Sequence, residues 1–285
     1  MIKIGILGNP HYPKTLTLAT RIHDALCERG LEVFRGSAEP EKQVTFPADL
    51  DLLITLGGDG TMLHAAHLVA ANGTPILGIH MGRLGFLAEV RPGEWKESLD
   101  RVLAGEHWLE KRTRLRCELQ RDGFERAQDD SPWEALNEVV IGRGATSHMV
   151  QLATYVDEGY LTTYVADGLI VATATGSTAY ALSAGGPILP PELRNLVLVP
   201  ICPHLSLERT IVLAEGATVT VSVESVGDGV VTLDGVTKGH LQTGDRVVLT
   251  NSPNVTRFVR LYDRRQVYET LMERLQPRKV NKPDA

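Results

Sequence analysis

Leu52-Leu53-Ile54-Thr55-Leu56, running directly into Gly57-Gly58-Asp59-Gly60-Thr61, decides how this chain is read. An apolar run of strand length enters a glycine-rich turn, and the turn opens a helix-like stretch from Thr61 to Ala71. A buried strand feeding such a turn is a physical recipe for holding phosphate. Backbone N–H groups point outward at a helix N-terminus, and the helix dipole favours negative charge. Glycines let the backbone approach a phosphate closely and take positive φ. Gly57, Gly58, Gly60 and Thr61 therefore read as a phosphate-holding loop. Asp59 is its unusual member. A carboxylate repels phosphate, so Asp59 points to work on a proton or a metal. The competing reading is a plain strand–turn–helix corner with Asp59 capping the helix.

Outward from this turn, the first third alternates strands and helices. Ile2–Leu7 reads as a strand. Thr15–Arg29 reads as a helix, with Leu18, Ile22, Ala25 and Leu26 on one face and Gly30 as its C-cap. Leu31–Phe34 and Pro75–Ile79 read as strands, Pro40–Pro47 as loop, and Glu94–Ala104 as a helix ending at Gly105. This βαβ rhythm predicts an open, mostly parallel sheet. Ligands of such sheets bind beyond the carboxyl ends of the strands, where residues 57–61 fall.

Near residue 110 the pattern turns to short alternating segments. Arg114–Gln120 leads to a turn at Asp122-Gly123, and Thr218–Glu224 has a period of two. Val230–Leu233 ends at Asp234-Gly235, and Arg246–Leu249 and Val255–Leu261 continue the theme. The fold expected is an α/β N-terminal domain with an open, mostly parallel sheet, followed by a β-rich C-terminal domain. Asp263–Leu275 reads as a C-terminal helix returning to the first domain. The expected bounds are 1–110 plus 262–276, then 111–261, with 277–285 a disordered tail. Within the β pattern, Asp167–Ala172 reads as a strand. Thr173-Ala174-Thr175-Gly176-Ser177-Thr178 follows as a hydroxyl-rich helix start, before a short helix over Ala179–Ala184. Such a cluster either caps the helix or grips a nucleotide.

Composition narrows the function. The 285 residues carry a net charge of −6 and no long Lys/Arg run, which argues against nucleic acid or an anionic membrane as partner. Cys27, Cys117 and Cys202 are too scattered for a disulfide framework or zinc site and suit a reduced, cytoplasmic setting. The chain start reads as a strand rather than a signal peptide, and no apolar stretch is long enough for a membrane span. No Walker loop, Rossmann fingerprint, protein-kinase set or G-x-S-x-G is present. His80, His204 and His240 sit apart from any metal-ligand spacing, and no metal ligands are assigned.

Five segments taken in order resemble the NAD kinases: Gly57–Thr61, Gly82-Arg83-Leu84-Gly85-Phe86-Leu87, Asn137-Glu138, Asp167-Gly168 with Thr175–Tyr180, and Pro200-Ile201-Cys202-Pro203-His204. The first is shared with lipid kinases; the Asn-Glu pair and T-G-S-T-A-Y are more specific. The resemblance implies transfer of the terminal phosphate of ATP or polyphosphate to the 2′-hydroxyl of the adenosine ribose of NAD, giving NADP. It implies that Asp59 contacts that hydroxyl, and that Asn137 and Glu138 bind NAD, with Asn137 near the adenine. Thr175, Thr178 and Ala179 would line the dinucleotide pocket, and Asp167, Tyr180 and Ser183 would serve its other parts. Gly60, His64, Phe86, His148, Ala181 and Leu182 complete the implied set. An α/β N-terminal domain, an all-β, sandwich-like C-terminal domain and a homo-oligomer are also implied. Two departures stand out. Ala174 replaces the proline common in T-P-T-G, and Asp234-Gly235-Val236 replaces Asp-Gly-Gln.

The chemistry follows from the acceptor. A ribose hydroxyl is a poor nucleophile, so the acceptor must lie in line with the donor phosphate while charge on the phosphate is neutralised. Asp59 is read as the catalytic group that takes or orients the hydroxyl proton. Amides of Gly58, Gly60 and Thr61 would hold donor phosphates, and a divalent ion, Mg²⁺, would bridge them with few protein ligands. The alternatives are a diacylglycerol-type lipid kinase and an NAD(P)-binding sensor without catalysis.

Overall fold

Four parallel strands organise the N-terminal region of the computed structural model, which describes residues 1–38, 44–82, 85–121, 132–145, 148–225 and 227–263. They are β1 (Lys3–Gly8), β2 (Glu32–Ser37), β3 (Leu52–Gly57) and β4 (Ile76–His80), in spatial order β2-β1-β3-β4. All six residues of β3 are buried, as a strand covered on both faces requires. Helices α1 (Pro13–Cys27), α2 (Asp59–Leu68) and α3 (Trp95–Leu103) supply the cover. Helix α1 buries Leu18, Ala19, Ile22 and Leu26, a spacing that places them on one face. Gly30 ends it at φ 76°, and Gly105 follows α3 at φ 79°. Truncating Ile22, which is fully buried, would cost about 2–5 kcal/mol. Helix α2 presses so closely on β4 that a Cβ at Gly78 would collide with the Met62 side chain and the Ala88 backbone.

The second region is antiparallel. Its strands are β5 (Trp108–Gln120), β6 (Trp133–Ala135), β7 (Glu138–Arg143), β8 (Val150–Val156), β9 (Gly159–Ala166) and β10 (Gly168–Ala172). A 3₁₀ turn (Gly176–Thr178) and the short helix α4 (Tyr180–Ser183) interrupt them. Strands β11 (Leu196–Ile201), β12 (Ile211–Leu213), β13 (Val219–Ser225), β14 (Gly229–Leu233), β15 (Val236–Leu241) and β16 (Arg246–Arg260) follow. One sheet runs β12-β11-β10-β7-β14-β15. Strands β16, β13, β8 and β9 pair antiparallel in another, with β5 and β6 attached. Leu115, Val139, Ile141, Leu152, Tyr164, Leu198 and Val221, drawn from both sheets, share one buried core. This is the β-rich domain that the alternating pattern predicts and the sandwich that the resemblance implies.

The chain separates into two compact units: residues 1–68, 74–110 and from Arg257 onward, and residues 69–73 and 111–256. Strand β16 supplies both. Its early residues pair with β13, and Phe258 lies parallel to Ile76 of β4. Arg260, also in the first unit, donates through Nη1 to the Leu87 carbonyl (2.7 Å) and pairs with Glu110.

Several local expectations change. Arg246–Arg260 forms one strand rather than two. Between the two expected strands, the Ser252 hydroxyl and the Asn254 amide both donate to Glu134, and the strand continues. Helix α2 starts at Asp59, two residues earlier than expected, and ends at Leu68. The expected helix over Asp263–Leu275 beyond its first residue, the tail 277–285 and the turn at Asp122-Gly123 lie outside the described residues.

Candidate active site

The first unit contributes the corner where β3 meets α2. Strand β3 stops at Gly57, where a Cβ would overlap the Thr61 side chain, so glycine is required for packing. At Gly58 and Gly60 a Cβ would meet nothing within 4 Å. None of the three glycines has positive φ, contrary to the conformational reason expected for them. Their value is clearance: Gly57 lets the helix close on the strand, and Gly58 and Gly60 leave open space beside the backbone. The Thr61 N–H donates to the Gly58 carbonyl (3.0 Å), so this amide is engaged within the turn.

Asp59 is the first residue of α2, and its carboxylate does not act as a helix cap. It reaches instead to the loop after β4. The Phe86 N–H donates to Oδ2 at 2.7 Å and the Leu87 N–H to Oδ1 at 3.1 Å. A Cβ at Gly85 would overlap this carboxylate, which explains the glycine there. Each oxygen of an ionised carboxylate offers two acceptor sites, so two amides leave capacity for a hydroxyl. The corner is held from behind, because Arg260 grips the Leu87 carbonyl. His64 lies on α2, half-buried. Burial, then His67, holds its imidazole below the usual histidine range, so it is neutral near pH 7. Arg83 and Leu84 lie outside the described residues.

The second unit contributes a corner around Asn137 and Glu138, at the start of β7. Three consecutive amides converge on Asp234. Leu136 N–H donates to Oδ2 (2.7 Å), and Asn137 and Glu138 N–H donate to Oδ1 (2.8 and 3.1 Å). The Asp234 N–H returns a bond to the Glu138 carbonyl (3.0 Å). Asp234 and Gly235 form the two-residue turn between β14 and β15, at φ 46° and 81°. Both positive values are those of a type I′ hairpin, which Asp-Gly suits. On the other side, the Thr173 hydroxyl donates to the Leu136 carbonyl (2.6 Å) and the Thr173 N–H to the Asn137 carbonyl (2.8 Å). A Cβ at Gly176 would overlap the Asn137 backbone. Residues 136–138 are therefore clamped from both sides.

Glu138 is only 7% exposed, and its Oε2 has no hydrogen-bond partner. Burial first, then the nearby Asp234 charge, pushes its carboxyl up to about 7, with the Tyr180 backbone amide working the other way. Opposite Glu138 in the sheet lies Ala172 of β10.

The hydroxyl cluster does not cap the helix that follows it. Thr173 and Ser177 are fully buried, and their hydroxyls serve the local backbone, with Ser177 also accepting the Leu189 N–H. Thr178 donates to the Thr175 carbonyl, and Thr175 accepts from Arg112 at 3.2 Å. No hydroxyl caps α4, whose four residues follow a 3₁₀ turn directly. Ala181 is fully buried in a small core with Ile170, Ala172, Val197 and Val199. Ala179 and Leu182 are half-buried, while Tyr180, Ser183 and His148 are exposed. Asp167 is paired with Arg143 (2.8 Å). Within this unit the structure brings Asn137, Glu138, Thr175 and Gly176 together. Asp234 is the residue that sequence reading missed. The Asp-Gly dipeptide signals a hairpin, but nothing local tells which backbone the carboxylate holds.

Among the described residues, no group of three His, Cys, Asp or Glu side chains is placed to hold a metal ion. No described helix is long and apolar enough to cross a membrane.

Comparison with known proteins bears on both corners. A family model described as the ATP-NAD kinase N-terminal domain matches residues 37–107, and one described as the ATP-NAD kinase C-terminal domain matches residues 136–261. The NAD kinase of Chloroflexus aurantiacus is 43% identical over 274 residues, covering 96% of this chain and 98% of that protein. That of Moorella thermoacetica is 41% identical over 284 residues, covering 96% and 89%. Among solved structures, yeast NADH kinase complexed with NADH matches with a TM-score of 0.81 at 25% identity, over 99% of this chain and 90% of that chain. An NAD kinase from Archaeoglobus fulgidus in complex with ATP shares the fold, with a TM-score of 0.75 at 24% identity over 95% and 98%.

Proposed function

The chain belongs to the NAD kinase family, and from that premise we propose how its residues divide the work. The activity is phosphoryl transfer to NAD, giving NADP, with NAD and ATP as substrates. Asp59 is assigned as the catalytic group. It accepts or orients the proton of the 2′-hydroxyl of the adenosine ribose as that oxygen attacks the terminal phosphorus of the donor. The hydroxyl proton passes to the carboxylate, a new P–O bond forms, and the donor's bridging P–O bond breaks. The backbone beside Gly58 and Gly60 receives the donor phosphates. Mg²⁺ enters as part of the donor substrate, carried on its phosphates with water in most positions. Asn137 and Glu138 contact NAD, with Thr175, Thr178, Ala179 and Tyr180 beside them.

One observation carries the catalytic assignment. A carboxylate at the end of β3 is fixed by two backbone amides, beside glycines that leave open space. Preorganisation of this kind is what positioning catalysis needs. The reading extends to a donor part in residues 1–110 with 262–276 and an NAD part in 111–261, to polyphosphate as a further donor, and to a homo-oligomer. It also extends to a cytoplasmic location, supported by three free cysteines. The lipid-kinase alternative gains nothing, because the similarity runs through the second unit as well as the glycine turn, and the silent-sensor alternative gains nothing from relatives that are NAD kinases.

The test is incubation of the full chain with NAD, ATP and Mg²⁺, followed by NADP assay. Wild type should form NADP and Asp59→Ala should not, while remaining folded. A folded Asp59→Ala variant with wild-type turnover would refute the catalytic assignment.

A further inference from the structure

Asp234 lies in a hairpin turn, at a position where a turn residue alone would suffice. Glycine and asparagine also accept a φ of 46° there. The carboxylate does more than suit the turn. It collects the N–H groups of Leu136, Asn137 and Glu138, which lie 98, 97 and 96 residues earlier in the chain. Three amides on one carboxylate make charge-assisted bonds, stronger than neutral ones. We infer that Asp234 is a positioning residue for the reaction: it locks the backbone of 136–138 so that the Asn137 and Glu138 side chains are presented to NAD. The inference rests on the NAD-binding reading of those two residues.

The same carboxylate acts on Glu138 through space. From the elements packed on it, Glu138 meets Ala172 of β10, the Tyr180 amide of α4, and Asp234 of the β14–β15 turn. Asp234 is the charged group among them, and its charge raises the Glu138 carboxyl. The geometric lock and the charge come from one side chain, so a variant can separate them.

Asp234→Gly keeps a residue suited to the turn and removes the carboxylate. It should raise KM for NAD at least tenfold while KM for ATP stays within twofold. Asp234→Asn keeps an oxygen that can accept from Asn137 and Glu138 but removes the charge. It should recover most of the NAD affinity and move the midpoint of the KM(NAD) pH profile to lower pH. A residue that served the turn alone would leave KM for NAD unchanged in Asp234→Gly. An Asp234→Gly variant with NAD KM within twofold of wild type overturns the inference. If that variant does not fold, an unshifted pH midpoint in Asp234→Asn overturns it. Failure of the NAD kinase reading would appear in the wild type, as absence of NADP, whereas failure of the positioning role appears only in the variants.

Discussion

The two corners use the same device to different ends. At the end of β3, Asp59 accepts two successive amides, from Phe86 and Leu87. At the start of β7, Asp234 accepts three, from Leu136, Asn137 and Glu138. In the first corner the carboxylate that organises the loop is also assigned the chemistry. In the second the organising carboxylate sits behind the residues assigned to the ligand. The difference teaches where substitution is separable. Any change at Asp59 disturbs structure and chemistry together, whereas the second corner can be perturbed from behind while its ligand-facing side chains stay intact.

The strongest way to break the comparison is Asp59→Asn. The amide retains size but cannot take a proton, and its NH₂ faces a backbone donor. Turnover should fall by roughly 10²–10⁴, with a loss of stability of about 1–3 kcal/mol from the mismatched pair. Single-turnover rates and denaturation together check this. Normal turnover would show that the carboxylate only organises the loop.

Glu138→Gln sharpens the second corner. The Glu138 carboxyl sits at about 7 in the folded chain, against 4.5 ordinarily. At pH 4.5 and below, the folded state keeps the carboxyl neutral, so burial costs little. As pH rises toward 7 the unfolded chain ionises freely and the folded one does not, so stability falls; above about 7 the loss is complete. The glutamine variant should therefore be more stable than wild type at pH 8.5, by roughly 2–3 kcal/mol, and nearly equal at pH 4.5. Denaturant titration at the two pH values decides it, and an equal difference at both would rule out ionisation as its cause.

Gly176→Ala tests the opposite jaw of the clamp. The new methyl must displace the Asn137 backbone, which should cost about 1–3 kcal/mol and raise KM for NAD before KM for ATP. Gly58→Ala is the matched control at the open corner. Nothing lies within 4 Å of its Cβ, so stability should change by less than about 0.5 kcal/mol. A rise in KM for ATP in that variant would mark the open space as occupied by the donor during the reaction.

What the sequence made legible follows from range. The β3–turn–α2 corner is contiguous, and its apolar run, glycines and helical spacing appear within about twenty residues, so element types and order could be read directly. The alternation of β13 and the Asp-Gly turn were legible for the same reason. The partners of both carboxylates were not. Asp59 meets its amides 27 and 28 residues away, and Asp234 nearly a hundred. The capping role that Ser and Thr ordinarily take at a strand–helix junction is absent, because here the 3₁₀ turn folds Thr173 and Ser177 inward against the backbone. Strand β16 read as two because Asn-Ser-Pro-Asn carries every local mark of a turn, and the Glu134 acceptor that straightens it belongs to β6.

Strand β16 also bears on synthesis. A ribosome makes the chain from its first residue to its last, so the order in which partners emerge matters. Asp59, Phe86 and Leu87 emerge early, yet the guanidinium that holds the Leu87 carbonyl arrives only with Arg260. The amides of 136–138 likewise wait for Asp234. A nascent or prematurely terminated chain that stops short of Asp234 therefore has neither corner finished, and one that stops between Asp234 and Arg260 still lacks the brace on the first, so competence should arise only late in synthesis.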